Sequence, residues 1–174
     1  ELQRLCTANI KNEIGKCTYT HMLNDGAGIE TDLTVVCLKK NHFRIISSAA
    51  VRTHDKAHII KHLSKDLEFK DVTDELICLG IFGPRSRDLL SKITQDDLSN
   101  ENFKFSTSKN IKLNSINVWA QRLSYVGELG YELYIQKENA KEIYDLIINT
   151  GKDFKLTHCG AHTMDTMRME SGFL

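Results

Sequence analysis

The chain has 174 residues, 41% hydrophobic and 26% charged, an ordinary globular composition within the size range of one domain. Lysine plus arginine and aspartate plus glutamate number 23 each, so the formal charge is zero and the basic excess of a nucleic-acid binder is missing. No apolar run suits a membrane span, no signal-peptide pattern opens the sequence, and the scattered Cys6, Cys17, Cys37, Cys78 and Cys159 form no metal-ligand spacing, which fits reduced thiols in a bacterial cytoplasm or mitochondrial matrix.

Leu2, Leu5 and Cys6 stand at helical spacing up to about Asn9. Residues 17–23 read as a strand, residues 24–28 (NDGAG) as a turn, and residues 29–38 (IETDLTVVCL) as a strand rich in β-branched side chains. The three together predict a hairpin. Residues 42–47 give a further strand, and residues 51–63 an amphipathic helix. A short strand is expected over residues 68–72. The run LICLGIF at residues 76–82 predicts a strand buried on both faces. Pro84 then opens a helix reaching Ile93. Residues 96–105 form a loop, and two strands follow around an Asn114–Ser115 turn, the second running from Ile116 to Ser124. Residues 139–149 and 162–172 read as helices, with Gly151 ending the first of them. Antiparallel sheets flanked by four or five helices make the chain α+β.

The densest chemistry lies in LSYVGELGYELYI, residues 123–135. An apolar strand enters a turn with Gly127 and Gly130, which permit a positive φ or a close backbone approach. The next strand carries Glu132. Alternation puts Glu132 on the face of Tyr134, opposite Tyr131, Leu133 and Ile135. A carboxylate beside an aromatic ring suits a flat heterocycle offering paired N–H donors. A plain hairpin with a solvated glutamate has the same spacing.

Asp32 is the second candidate. It shares a strand face with Thr34 and Val36, and partial desolvation there would suit a proton acceptor. Its bland alternative is a strand-start aspartate in water. Tyr19 would lie near Asp32 if the two strands pair across the glycine turn, although residue types alone favour a pair of plain surface neighbours. His54, His58 and His62 recur at one helical face, a solvated stripe rather than a metal site, since no carboxylate or cysteine completes a ligand set. No G-x-G-x-x-G motif opens a helix after a strand, so no dinucleotide site is expected within these residues.

Four ordered segments, GAGIETDLTVVCL, LGIFGPRSRDLLSKIT, YVGELGYELYI and GAHTMDTMRMESGF, resemble the glycine-cleavage T-protein (aminomethyltransferase) family over nearly the whole chain. The likeness is greatest to the folate-binding module of dimethylglycine and sarcosine dehydrogenases, a branch that the loop ITQDDLSNENFKFSTSK also resembles. The resemblance implies one aminomethyltransferase-like domain over residues 1–174, incomplete at both ends. Glu1 opens inside an apparent helix, and Leu174 closes an apolar-patterned run without a capping residue.

Tetrahydrofolate binding and formation of 5,10-methylene-tetrahydrofolate are what the resemblance implies, with FAD only in a flavin dehydrogenase domain outside these residues. It places Asp32 by the reacting nitrogen of folate, Glu132 on the pteridine, and Tyr125 in contact with folate. Thr34, Tyr19 and Tyr134 match further folate-facing positions. Both carboxylates are expected to serve one reduced-pterin site, with no metal, nucleic-acid or membrane partner. One departure stands out. Glycine-cleavage T-proteins carry arginine where this chain has Met164, which weakens a lipoyl-linked activity and favours an amine-dehydrogenase partner. The alternatives are a glycine-cleavage aminomethyltransferase, another folate-dependent methyltransferase, and a non-catalytic regulatory module, which would be expected to lose Asp32 or Glu132.

Overall fold

The structure is a computed structural model that describes residues 1–173; Leu174, the uncapped end noted above, lies outside the described residues. Two compact units make up the chain, Glu1–Asp71 and a second that begins at Val72.

The first unit is built on an antiparallel meander of β1 (Cys17–Leu23), β2 (Ile29–Lys39) and β3 (His42–Ser47). The first turn follows from its residues. Asn24 Oδ1 accepts hydrogen bonds from the Gly26 and Gly28 amides at 3.0 and 2.9 Å, and Ala27 takes a positive φ of 62°. This turn fixes the register, with Tyr19 opposite Thr34 and His21 opposite Asp32. One sheet face buries Met22, Leu33 and Val35 with Cys6 and with Ile59 of α2 (Arg52–His62). Tyr19, His21, Asp32 and Thr34 share the other face by alternation. The first helix, α1 (Leu2–Leu5), ends four residues before the expected Asn9.

The second unit holds a four-stranded antiparallel sheet in the order β4-β7-β6-β5, formed by β4 (Leu76–Phe82), β5 (Ser108–Leu113), β6 (Ile116–Gln121) and β7 (Gly130–Gln136). Its helices are α3 (Ser86–Leu90), α4 (Ala140–Gly151) and α5 (Ala161–Glu170). Central β7 turns Tyr131, Leu133 and Ile135 into a core with Leu89 and Leu90 of α3, Ile143 and Ile147 of α4, and Phe103. The opposite face carries Glu132 and Tyr134, as the alternation predicts.

Several local expectations are corrected. β4 is not buried on both faces: only Ile81 is buried, because β4 is an edge strand with its core on one side. Residues 68–72 form no strand; Asp71 instead pairs with Arg52 at 3.0 Å and Lys56 at 3.6 Å on α2. The helix after Pro84 stops at Leu90 rather than Ile93. β6 stops at Gln121, where its pairing with β7 ends opposite Glu132, so residues 122–129 are irregular. Gly151 is the last residue of α4, and the left-handed residue after it is Lys155 at φ 58°. Leu156 packs on the bare Gly151 backbone, where a side chain would collide with it.

Candidate functional site

Asp32 and Tyr19 meet on the exposed face of the first sheet. The Tyr19 hydroxyl donates to Asp32 Oδ2 at 2.9 Å, the diagonal contact that the β1–β2 register allows. Asp32 Oδ1 takes no hydrogen bond from the described residues. Thr34 is half-buried on the same face. The expected partial desolvation of Asp32 is not seen; its side chain is exposed, because nothing within this unit covers that end of β2. His21 was missed. It lies directly across from Asp32, and its ring meets Tyr19 edge-on with 5.5 Å between centroids. Its signal was the period-two spacing from Tyr19. The histidine stripe of α2 contains a tethered residue, with His54 Nε2 3.1 Å from Glu30 Oε2 and Nδ1 3.2 Å from Asp55 Oδ1. No metal-ligating group of three is found among the described residues.

Glu132 in the second unit sits in a drier setting. The Tyr134 hydroxyl donates to Glu132 Oε2 at 2.8 Å, and the Trp119 ring lies 4.9 Å from the Tyr134 ring, centroid to centroid. Across the sheet, Gly80 and Gln121 are register partners of Glu132, while Cys78 and Trp119 are partners of Tyr134. Desolvation raises the Glu132 carboxyl above the ordinary 4.5, and the Tyr134 hydrogen bond opposes the rise. Burial also lifts the Tyr134 phenol well above its usual value, so it stays protonated and donates. Trp119, Gly80 and Cys78 were missed, since only the long-range register brings them beside Glu132.

This setting has a measurable stability consequence. A carboxyl whose folded pKa is raised binds its proton more tightly in the native state. Its contribution is complete below the unfolded value near 4.5 and is lost as pH rises through the higher folded value. Glu132→Gln removes that titration. Urea unfolding over a pH series should therefore show wild type losing stability relative to the variant across this window, with the variant at least as stable at neutral pH. A constant difference at every pH would contradict the raised pKa.

Tyr125 is held by α5. It is 48% exposed; its hydroxyl donates to Asp165 Oδ1 at 3.4 Å, and the Arg168 guanidinium lies 5.9 Å from its ring centroid. Gly127, two residues on, has φ +76° and lies against Ser171, so both the conformation and the space there require glycine. Gly130 meets its need differently, through the close approach of the Phe82 ring. Met164 on α5 is half-buried.

The sequence profile described as the GCVT N-terminal domain matches residues 1–174. The chain is 37% identical over 169 residues to the mitochondrial dimethylglycine dehydrogenase of Homo sapiens, covering 95% of this chain and 20% of that protein. It is 31% identical over 173 residues to the aminomethyltransferase of Caldanaerobacter subterraneus subsp. tengcongensis, covering 98% of this chain and 46% of that protein. The crystal structure of the glycine cleavage system aminomethyltransferase T from Bartonella henselae superposes with a TM-score of 0.74 at 22% identity, covering 92% of this chain and 42% of that one. The chain thus spans about a fifth of the dehydrogenase it matches and less than half of the aminomethyltransferases. With the profile covering every residue, the chain belongs to the GCVT N-terminal domain family, the aminomethyltransferase-type domain that dimethylglycine dehydrogenase also carries.

Proposed function

We propose that this chain is the tetrahydrofolate-binding part of a flavin-dependent dimethylglycine or sarcosine dehydrogenase, serving one-carbon transfer to give 5,10-methylene-tetrahydrofolate. The observation that carries this reading is the Glu132 carboxylate. It is desolvated, one oxygen is held by Tyr134, and the other has no hydrogen bond from the described residues. Such an acceptor fits the paired N–H donors of a pterin, and the Trp119 and Tyr134 rings fit its flat heterocycle. Bound tetrahydrofolate would supply the nitrogen nucleophile that captures the one-carbon unit. FAD would be held by another part of the polypeptide, a partner role suggested by the likeness of this chain, 37% identical over 95% of its length, to a segment of dimethylglycine dehydrogenase.

Asp32 takes the proton-handling role. Tyr19 steadies Oδ2, which leaves Oδ1 open as the proton acceptor. Thr34 and Tyr19 line the same strand face and give polar contacts to the ligand, and Tyr125 adds a ring. Glycine-cleavage activity is the weaker reading, since Met164 offers no cation to an anionic partner. A regulatory module would have little use for both retained acids. Either a mitochondrial matrix or a bacterial cytoplasm suits the proposed chemistry.

Trp119, the single tryptophan of this chain, is the reporter. In the full-length polypeptide, tetrahydrofolate should change tryptophan emission saturably, and Trp119→Phe should diminish that change. An emission change that persists undiminished in Trp119→Phe, or its absence from wild type, would place the ligand elsewhere or nowhere.

A further inference from the structure

Gly80, Phe82, Gly130 and Glu132 all belong to the unit that begins at Val72. Across the β4–β7 ladder, Gly80 stands opposite Glu132 and Phe82 stands opposite Gly130. Two strand positions on the Glu132 face thus lack side chains, although glycine inside a strand weakens it. Neither glycine has a positive φ, so backbone conformation does not call for them. The space does. A Cβ on Gly80 would stand 2.7 Å from Cε2 and Cζ of Phe82, and one on Gly130 would overlap Cδ1 of the same ring. The ring therefore lies flat along the trough that the two glycines leave. It occupies the side-chain space of Gly80, which is the cross-strand neighbour of Glu132. Tyr134 and Trp119 stand on the other side of the carboxylate.

We propose that Phe82 is a positioning residue for Glu132: its ring walls one side of the carboxylate from water and turns its free oxygen toward the ligand. The inference rests on the folate reading for its ligand, but not for the wall itself. A ring covering Gly80 on the edge strand β4 and Gly130 beside it also has a purely structural use, in shielding the exposed backbone. That use stabilises the sheet and leaves the titration of Glu132 unmoved.

The experiment follows the Glu132 carboxyl by ¹³C NMR titration in the folate-free protein, for wild type, Phe82→Ala and Phe82→Leu. Phe82→Ala admits water, so the midpoint should fall toward the ordinary 4.5. Phe82→Leu keeps part of the apolar wall and should fall less. Tetrahydrofolate affinity at neutral pH should drop about two- to tenfold in Phe82→Ala, the loss of one aromatic neighbour. The acid limb of its pH profile should move to lower pH with the Glu132 midpoint. Midpoints that stay at the wild-type position in folded variants would overturn the proposal. If Phe82→Ala does not fold, Phe82→Gln, which keeps the length and brings a polar group, is read against the same criterion. A midpoint that falls in a protein whose wild type binds no tetrahydrofolate would leave the wall standing and reject the folate reading alone.

Discussion

In the full-length polypeptide, Asp32→Asn should slow one-carbon transfer by about 10²- to 10⁴-fold, the usual worth of a positioned proton acceptor. Asparagine keeps the size of the side chain and an oxygen to accept the Tyr19 hydroxyl, which now lies 2.9 Å from Asp32 Oδ2. What it loses is the ability to take a proton. Tetrahydrofolate affinity should therefore change by less than about tenfold, the scale of one altered hydrogen bond. Rapid-quench measurement of 5,10-methylene-tetrahydrofolate formation in a single turnover separates the two, because binding is complete before the clock starts. A wild-type rate in Asp32→Asn would remove Asp32 from the path of the proton. A proportionate loss of affinity and rate would make it a binding residue only.

The largest effect on stability is expected in the middle of the second sheet. Leu133 is fully buried on β7, opposite Leu79 of β4 and Ala120 of β6. Leu133→Ala leaves a cavity on the core face of β7, against side chains of α3 and α4, and β7 is held by β4 on one side and β6 on the other, so it cannot easily close on it. The cost should be about 2–5 kcal/mol, a large share of the roughly 5–15 kcal/mol available to a typical domain. Urea unfolding should show a lower midpoint with an unchanged slope. Glu132 and Tyr134 flank Leu133 in sequence, so folate affinity should fall with the folded fraction. A loss below about 1 kcal/mol would mean that β7 is not the central strand of a packed core.

Much of this was legible in the residues, and the limits have physical causes. The β-branched run of β2 and the residues 24–28 turn set both the strands and their register, so the Tyr19–Asp32 contact followed from local sequence. Alternation along β7 likewise put Glu132 and Tyr134 on one face, and the structure joins them at 2.8 Å. What local pattern did not carry was the choice of sheet neighbours. β7 pairs with β4, some 50 positions earlier, and that pairing brings Gly80, Cys78 and Phe82 beside the glutamate. The run LICLGIF reads as doubly buried because composition does not tell an edge strand from a central one. Tyr125 shows the same limit, since its tie to Asp165 spans 40 positions. The strand expected from Ile116 to Ser124 ends at Gln121, where its pairing with β7 stops, although β7 itself runs on to Gly130 beside β4.

The most direct test of the account is calorimetric titration of the full-length polypeptide with tetrahydrofolate, for wild type and Glu132→Ala. Wild type should bind at one saturable site, and the variant should bind about 10- to 100-fold more weakly, the loss of one or two hydrogen bonds to a charged acceptor. Equal affinities for the two proteins, or no binding heat from wild type, would contradict it.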